Sequence, residues 1–379
     1  METNLATLFE DAMKLCESSD SFYFVDQIGP TDQAQYRTFT YRLASYTEFQ
    51  QMNALEMRGH TFRLENGRWE IASLPPQKFF NYGEHVGWGT EMDLNTMQLV
   101  MDKLDGSLIS TVCDANNKYF LKSKTSFRSV QVQEATALVG TDKYRDFSAS
   151  LQKLTERNYT VNMEYVSPSN QIVIGYSEPQ LIVLNVRHNI IGHYLSHERL
   201  VREFGEEFVV KSFPIPADGK QFLVDAEKMT GIEGFVIQLS DGLLFKHKTE
   251  AYCILHHLKD SINNPKRLWE ACVNETADDL RALFKDDPIS LEKISAMEAL
   301  ASKNFNHIHK TVHAYYNENK ELSRKDYAIK GQEELMADGT FSLVMNLYIG
   351  REANVKDFMV KNYKRFGVSD EVVGSLGDD

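Results

Sequence analysis

The spacing of apolar residues predicts many short strands in the first two thirds of the chain. Between about residue 20 and residue 250, alternating or β-branched runs are separated by turn sequences such as NGR, DANN and SDG. The clearest strand runs are YRTFTYRL, GHTFRL, LISTVC, YFLKSK, QIVIGY, LIVLNV, GFVIQL and LLFKHK. Helical spacing interrupts them near residues 142–157 and 219–230. Because strands and helices do not alternate regularly, we expect an α+β domain built on antiparallel sheets.

The pattern changes after Tyr252. Residues 258–365 are rich in Leu, Ala, Lys and Glu at helical spacing, as in ADDLRALF and ISLEKISAMEALASK, and they contain no convincing strand run. We therefore predict a first domain over residues 1–252 and an all-helical domain over residues 253–379. The polar, acidic end GVSDEVVGSLGDD should be mobile.

Composition and charge narrow the function classes. The start METNLATLFEDAMKL predicts an amphipathic helix and not a signal peptide, and no run approaches the ~18 apolar residues of a membrane span. We therefore expect a soluble, cytoplasmic monomer with no membrane partner. The four cysteines show no paired spacing and sit among apolar neighbours, so we expect reduced, buried thiols and no zinc site. A net charge of −13 argues against general polyanion binding, but a locally basic cleft can still hold phosphates.

One segment carries a candidate nucleophile. QLVMDKLDGSLISTV places Lys103 and Asp105 between two apolar runs that read as strands. A lysine at a strand end followed by Asp-Gly-Ser is the nucleophile signature of DNA ligases, RNA ligases and mRNA capping enzymes. A lysine attacks phosphorus only when neutral, so such a site needs nearby positive charge or desolvation. The motif alone leaves a surface turn open, because Asp-Gly is also a common hairpin pair.

Further charged residues follow downstream in apolar strand patterns. VNMEYV contains Glu164, IEGFVIQL contains Glu233 directly before a glycine, and LLFKHK contains Lys246 and Lys248. Since the two lysines are two residues apart, they would project from one face of a strand. Each residue alone is also compatible with a charged sheet edge. Their order after Lys103 predicts a single nucleotidyl-transfer site.

Over most of its length the chain resembles the phage T4-type RNA ligase 1 family. The resemblance is carried by the segments ASYTEFQQMNALEMRGHTF, IASLPPQKFFNYGE, FLKSKTS, NMEYVSPSNQIVIGY and LIVLNVR, beside the motifs above. Two positions depart from the family pattern. Leu74 stands where arginine is expected and Thr125 where glycine is expected. Both departures concern local RNA contacts and not the chemistry.

The resemblance implies an ATP-dependent RNA ligase that acts in three nucleotidyl transfers. Lys103 attacks the α-phosphorus of ATP, releases pyrophosphate and becomes a lysyl-AMP. The AMP then passes to an RNA 5′-phosphate, and an RNA 3′-hydroxyl attacks that end and expels AMP. In the family the helical part is associated with a broken tRNA anticodon loop. We therefore expect RNA ends as partners, those of tRNA above all, and a role in tRNA repair.

This reaction assigns roles to the other residues. Lys246 and Lys248 would stabilise the charge that develops on the α-phosphate. Asp105, Glu164 and Glu233 suit Mg²⁺ or Mn²⁺ held mostly through water. The resemblance further implies a set of ATP-binding side chains, which are Tyr41, Arg58, Lys78, Glu164, Lys246 and Lys248.

The resemblance also implies a metal position at Asp278, in TADDLRALF. Acidic residues at a helix start are, however, common partners of the helix dipole.

Two alternatives stay open at this point. A DNA ligase or capping enzyme would share the nucleophile but would continue after Lys248 into a small barrel of short strands, which residues 258–365 do not resemble. A non-catalytic RNA-end-binding protein could keep the fold without the chemistry. The complete set of charged motif residues argues against that second alternative.

Overall fold

The computed structural model describes residues 4–84, 92–168, 176–255, 262, 264–285 and 287–369. The chain divides into two compact units, residues 1–256 and residues 257–379, which we call the N-terminal and the C-terminal unit. Most of the predicted strand QIVIGY and most of the acidic end lie outside the described residues.

The N-terminal unit carries the strands. They are β1 Phe22–Ile28, β2 Gln35–Tyr41, β3 Thr61–Glu65, β4 Arg68–Ser73, β5 Met97–Asp102, β6 Ser107–Cys113, β7 Tyr119–Lys122, β8 Tyr159–Val166, β9 Gln180–His188, β10 Ser212–Phe213, β11 Gly234–Leu239 and β12 Leu244–Lys248. They pair antiparallel into three sheets with the orders β1-β2-β3-β4, β10-β5-β11-β12 and β7-β6-β8-β9. The predicted antiparallel α+β class is confirmed.

The helices of the N-terminal unit cover the sheets. They are α1 Leu8–Ser18, α2 Tyr46–Phe49, α3 Val130–Val139, α4 Arg145–Thr155, α5 His197–Phe204, α6 Gly219–Glu227 and α7 Glu250–Leu255. Helices α3, α4 and α5 bury Val132, Phe147 and Leu200 in the core of the third sheet. Leu223 of α6 joins the core of the second sheet. The predicted helix at the start of the chain is α1, which packs on the first sheet through its buried apolar face.

Turn residues fix the hairpins where the sequence predicted them. The connection between β3 and β4 holds Asn66 and Gly67 at φ +50° and +79°. Positive φ at both central residues is what a tight hairpin turn needs, and asparagine and glycine accept it most readily. Asn117 in DANN and Gly242 in SDG also have positive φ.

The C-terminal unit is helical over its described residues. Its helices are α8 Pro265–Val273, α9 Ala277–Leu283, α10 Pro288–Asn319, α11 Arg324–Leu335, α12 Phe341–Tyr348 and α13 Val355–Lys361. Asp287 caps the long helix α10 by accepting hydrogen bonds from the N–H groups of Ile289 and Ser290. Trp269 is fully buried, and its indole N–H donates to the Met359 carbonyl at 3.1 Å. Among the described residues, none of the helices combines the length and apolarity that a bilayer crossing requires.

The cysteines are free thiols, but their burial is not uniform. Cys253 and Cys272 are buried, as predicted for all four. Cys16 and Cys113 are only partly buried, and each lies near the C-terminal end of its element. For these two, the prediction of a fully buried thiol is wrong.

A buried ion pair joins the first and third sheets. Both Glu56 oxygens lie 2.7 Å from the Arg187 guanidinium, and the two side chains are 1% and 3% exposed. Glu56 ends a short helical turn between β2 and β3 of the first sheet, and Arg187 lies on β9 of the third sheet. Breaking such a pair leaves one buried charge without compensation, which costs more than the pair itself contributes.

Arg187→Met should therefore destabilise the protein by about 3 kcal/mol, because Glu56 would remain buried without its cation. The control is Arg145→Met, which removes the same side chain from an exposed pair with Asp142 and should change stability by less than about 1 kcal/mol. Urea unfolding midpoints of the full chain measure both. Equal midpoints for the two variants would contradict the assigned role of the buried pair.

Candidate active site

Backbone hydrogen bonds hold Lys103 at the end of a central strand. Strand β5 ends at Asp102, whose N–H donates to the Lys211 carbonyl at 2.9 Å. The Lys103 N–H donates to the Gly234 carbonyl at 2.9 Å. Because β5 lies between β10 and β11, both sides of the chain are fixed where the lysine begins. The side chain therefore leaves a well-determined point of the sheet.

Glu233 brings two of the predicted lysines together. Its Oε1 lies 2.7 Å from Lys103 Nζ and 3.0 Å from Lys248 Nζ, and its side chain is 3% exposed. Burial opposes ionisation of this carboxyl, but the two ammonium groups outweigh it and hold the pKa of Glu233 below its ordinary value. The carboxylate is thus ionised and shared by two cations.

Gly234 allows this contact to form. It has φ +151°, and a Cβ at this position would lie 2.1 Å from the His247 carbonyl oxygen and 2.7 Å from the Lys248 Cα. Any side chain would push β11 away from β12, which pair here through Gly234 and Lys248. The glycine after Glu233 is required by close packing of the two strands. The sequence pattern placed Glu233 within a strand, but β11 begins one residue later, at Gly234.

Asp105 is held by two tyrosines. Its Oδ1 accepts a hydrogen bond from the Tyr252 hydroxyl at 3.1 Å, and its N–H donates to the Tyr176 hydroxyl at 3.0 Å. The residue is 2% exposed. Sequence reasoning missed both tyrosines, because no motif relates positions 71 and 147 residues away from Asp105.

Glu164 lies on β8 and has a different environment from Glu233. Desolvation raises its pKa to about 7, the nearby carboxylates of Glu233 and Asp105 add to the shift, and Lys103 and Arg58 oppose it. The pKa values of Glu164 and Glu233 are therefore shifted in opposite directions within one site. Such divergence is typical of functional sites.

A cavity of about 300 Å³ opens beside these residues and lies between the second and third sheets. Arg58, Asp102, Lys103 and Glu164 form its charged part. Its walls are largely aliphatic and come from both sheets, with Leu99, Leu108, Leu184, Val236 and Leu244 among them. An apolar cleft with a few charged groups is the usual form of a small-molecule binding site.

The predicted pair Lys246 and Lys248 shares one face of β12. Alternation along the strand places both on the face of Leu244, which lines the cavity, while Phe245 and His247 are buried on the other side. Lys246 is also tied to the Lys-Phe-Phe-Asn segment, since its N–H donates to the Phe80 carbonyl at 2.9 Å. The Lys-Phe-Phe-Asn segment therefore runs along β12.

The predicted phosphate-binding residues fall into two groups. Arg58 lines the cavity and stacks on Phe79, with its guanidinium carbon 5.4 Å from the ring centre. Lys78 and Tyr41 lie together, with the lysine amine 5.8 Å from the tyrosine ring centre. Lys124, to which we assigned no role from sequence, lies closer to that ring, at 4.0 Å.

The predicted metal residues form no direct cage. Within the described part of the chain, no group of three or more His, Cys, Asp or Glu side chains is placed to bind a metal ion. The prediction for Asp105, Glu164 and Glu233 was of contacts mostly through water, and it stays a prediction. Asp278 lies in the first turn of α9 in the C-terminal unit, a position that favours the helix dipole.

Two family models match the chain. One, described as RNA ligase, matches residues 56–253, just over half of the chain, and the other, described as T4 RNA ligase 1, C-terminal domain, matches residues 259–370. The chain belongs to the T4 RNA ligase 1 family. It is an RNA ligase, and the resemblance drawn from its motifs is confirmed.

Individual relatives agree with this family. The chain is 27% identical to a putative RNA ligase of Thermovibrio ammonificans, over 69% of each protein. It is 28% identical to RNA ligase 1 of bacteriophage TS2126, over 72% of this chain and 67% of that one. Among solved structures, an archaeal ATP-dependent RNA ligase matches 96% of this chain and 99% of its own, with a TM-score of 0.50 and 11% identity. At that identity the match shows the fold alone.

The two glutamates should respond in opposite ways to the same substitution. The folded-state pKa of Glu164, about 7, exceeds the ordinary 4.5, so this group costs stability as the pH rises between those values. Glu164→Gln should therefore raise the melting temperature at pH 8 more than at pH 5. Glu233 has a lowered pKa and stabilises the fold above the ordinary carboxyl value, so Glu233→Gln should lower the melting temperature at pH 8. Melting curves of both variants at pH 5 and pH 8 measure this, and shifts of the same sign would contradict it.

Proposed function

We propose that Lys103 is the nucleophile that carries AMP, and that this ligase joins RNA 5′-phosphate and 3′-hydroxyl ends through a lysyl-AMP and an RNA-adenylate. The observation that supports this most is the contact of Lys103, Glu233 and Lys248 beside the cavity. The aliphatic walls suit a purine, and the charged end suits its phosphates.

The second lysine on Glu233 limits the cost of deprotonating Lys103. When Lys103 loses its proton and attacks, Glu233 keeps Lys248 as a partner at 3.0 Å. The buried carboxylate is therefore never left without a cation, which would cost several kcal/mol. Lys103 nitrogen forms a bond to the α-phosphorus, and the bond to pyrophosphate breaks. The covalent adduct stores the leaving-group potential of ATP until an RNA end arrives.

Cations act on the phosphates. Lys246 and Lys248 share the cavity-facing side of β12 and would stabilise charge on the α-phosphate oxygens. Arg58, at the cavity wall, offers the planar fork that suits bidentate phosphate contacts. Lys78 and Tyr41 would bind the departing pyrophosphate, with Lys124 beside them.

A hydrated divalent ion fits these residues better than a directly ligated one. One oxygen of Glu233 is occupied by two ammonium groups, and one oxygen of Asp105 accepts from Tyr252, so neither carboxylate is free to form a full inner shell. Asp105, Glu164 and Glu233 would hold Mg²⁺ or Mn²⁺ mostly through water. When bound, the ion would supply positive charge against the α-phosphate.

The natural substrate we propose is a broken tRNA, with the C-terminal unit as its recognition element. Family membership of residues 259–370 supports this. The net charge of −13 limits affinity for RNA outside the site, so binding should rely on a few contacts and weaken with salt.

Intact mass spectrometry after incubation with ATP and Mg²⁺ should show the gain of one AMP, on the peptide that holds Lys103. Lys103→Ala should abolish the adduct and RNA joining, because no other group can replace the nucleophile. Lys118→Ala, which removes an exposed lysine from the β6–β7 turn at the far end of β6, should leave the adduct unchanged. An AMP adduct on the Lys103→Ala protein, or preferential labelling by GTP, would contradict the proposal.

The tRNA assignment has its own test. A tRNA cut in its anticodon loop should be joined several-fold faster than the same ends placed as a nick in a duplex, and the rate should fall as salt rises. Gel analysis of pre-adenylylated substrates without ATP isolates this step from the formation of the lysyl-AMP. Equal rates for loop and nick would contradict a tRNA-repair role but leave the ligase chemistry intact.

A further inference from the structure

A chain of buried hydrogen bonds ends at the cavity wall. The Ser110 hydroxyl donates to Asn162 Oδ1 at 2.6 Å, and the Asn162 amide N–H donates to Asn185 Oδ1 at 2.9 Å. Ser110 is 1% exposed and Asn162 is fully buried, whereas Asn185 lines the cavity. The three side chains lie on β6, β8 and β9 of the third sheet. These two hydrogen bonds, which we call the relay, therefore connect the interior of that sheet to the cavity.

A β-bulge turns Asn185 toward the cavity. The pairing of β8 with β9 shifts register here, since Asn162 pairs with Asn185 and Met163 pairs with Val183. Leu184 is the extra residue, and both Leu184 and Asn185 line the cavity although they are neighbours in a strand. Without the bulge, alternation would place one of them on the opposite face. The bulge thus adds a polar group to an aliphatic wall.

The relay fixes the orientation of the Asn185 amide. Because Oδ1 accepts from Asn162, the amide is held with its nitrogen and its carbonyl in defined places, and its N–H groups remain as donors. An amide in this state can donate an N–H to the unprotonated ring nitrogen N1 of adenine. Guanine and hypoxanthine carry a 6-oxo group and a hydrogen on N1, so two donors would face each other.

We propose that Asn185 selects adenine over 6-oxopurines in the nucleotide that reacts with Lys103. This inference rests on the proposed function of the cavity and adds the residue that determines the choice of base. Two other polar side chains of the wall, His197 and Gln238, are less suited to this role. His197 is engaged with the Val210 carbonyl at 2.7 Å, and in the described part of the chain no hydrogen bond fixes the amide of Gln238.

The test compares adduct formation with ATP, ITP and GTP on the full-length protein. ITP differs from GTP only by the missing 2-amino group, so it separates the 6-position from a steric effect at the 2-position. The wild type should discriminate against both 6-oxopurine nucleotides. Asn185→Ala should reduce the ATP:ITP ratio of kcat/KM by about tenfold, the value of one lost base contact. Ser110→Ala, which does not line the cavity, should change the ratio in the same direction by less, and it carries the test if Asn185→Ala fails to fold.

Asn189→Ala is the matched control. Asn189 is a buried asparagine near the same strand, whose Oδ1 accepts from Thr160 at 2.7 Å, and its loss should leave the ratio unchanged. Equal use of ATP and ITP by the wild type would overturn the inference. So would an unchanged ratio in both Asn185→Ala and Ser110→Ala, or loss of selectivity in Gln238→Ala instead. The absence of any adduct in the wild type would overturn the proposed function itself, and this inference with it.

Discussion

The site depends on one buried carboxylate shared by two lysines. Glu233 is 3% exposed and lies within 3.0 Å of both Lys103 and Lys248. A lone carboxylate at this depth would be strongly destabilising, and either lysine without it would carry an unpaired charge into a largely aliphatic cleft. Three requirements follow from this single contact. Strands β5, β11 and β12 must be adjacent, the residue after Glu233 must be glycine, and the side chain of Lys103 must begin at the end of β5.

The same contact keeps Glu233 neutralised when the charge of Lys103 changes. Lys248 neutralises Glu233 whether or not Lys103 is protonated, so Lys103 can lose its proton without leaving a buried ion unpaired. In the described structure, no ammonium group lies at hydrogen-bond distance from Glu164. Its pKa is raised to about 7, chiefly by desolvation. One carboxylate is thus fixed as an anion, and the other is sensitive to whatever charge enters the cavity.

Local patterns predicted much of this arrangement, and long-range contacts account for what they missed. Strands, hairpin turns and the change to helices after Tyr252 depend on near neighbours in sequence, and these were predictable. The order of Lys103, Glu164, Glu233 and the lysine pair indicated a common site. Nothing local indicates that Tyr252 hydrogen-bonds to Asp105, or that a one-residue bulge turns Asn185 into the cavity wall. A register shift depends on how two strands pair, and this is set by the packing of the whole sheet.

The bulge shows why motif residues alone do not define a nucleotide site. In the proposed reaction, Lys103 and the charged residues around it would contact groups that all nucleoside triphosphates share, so they would favour reaction without choosing a base. Choice requires a polar group of fixed orientation in the aliphatic part of the cavity, because a freely rotating amide can offer either a donor or an acceptor. In this chain the fixed amide is that of Asn185 on β9, outside the charged motifs. Two successive hydrogen bonds, from Ser110 to Asn162 and from Asn162 to Asn185, set its orientation.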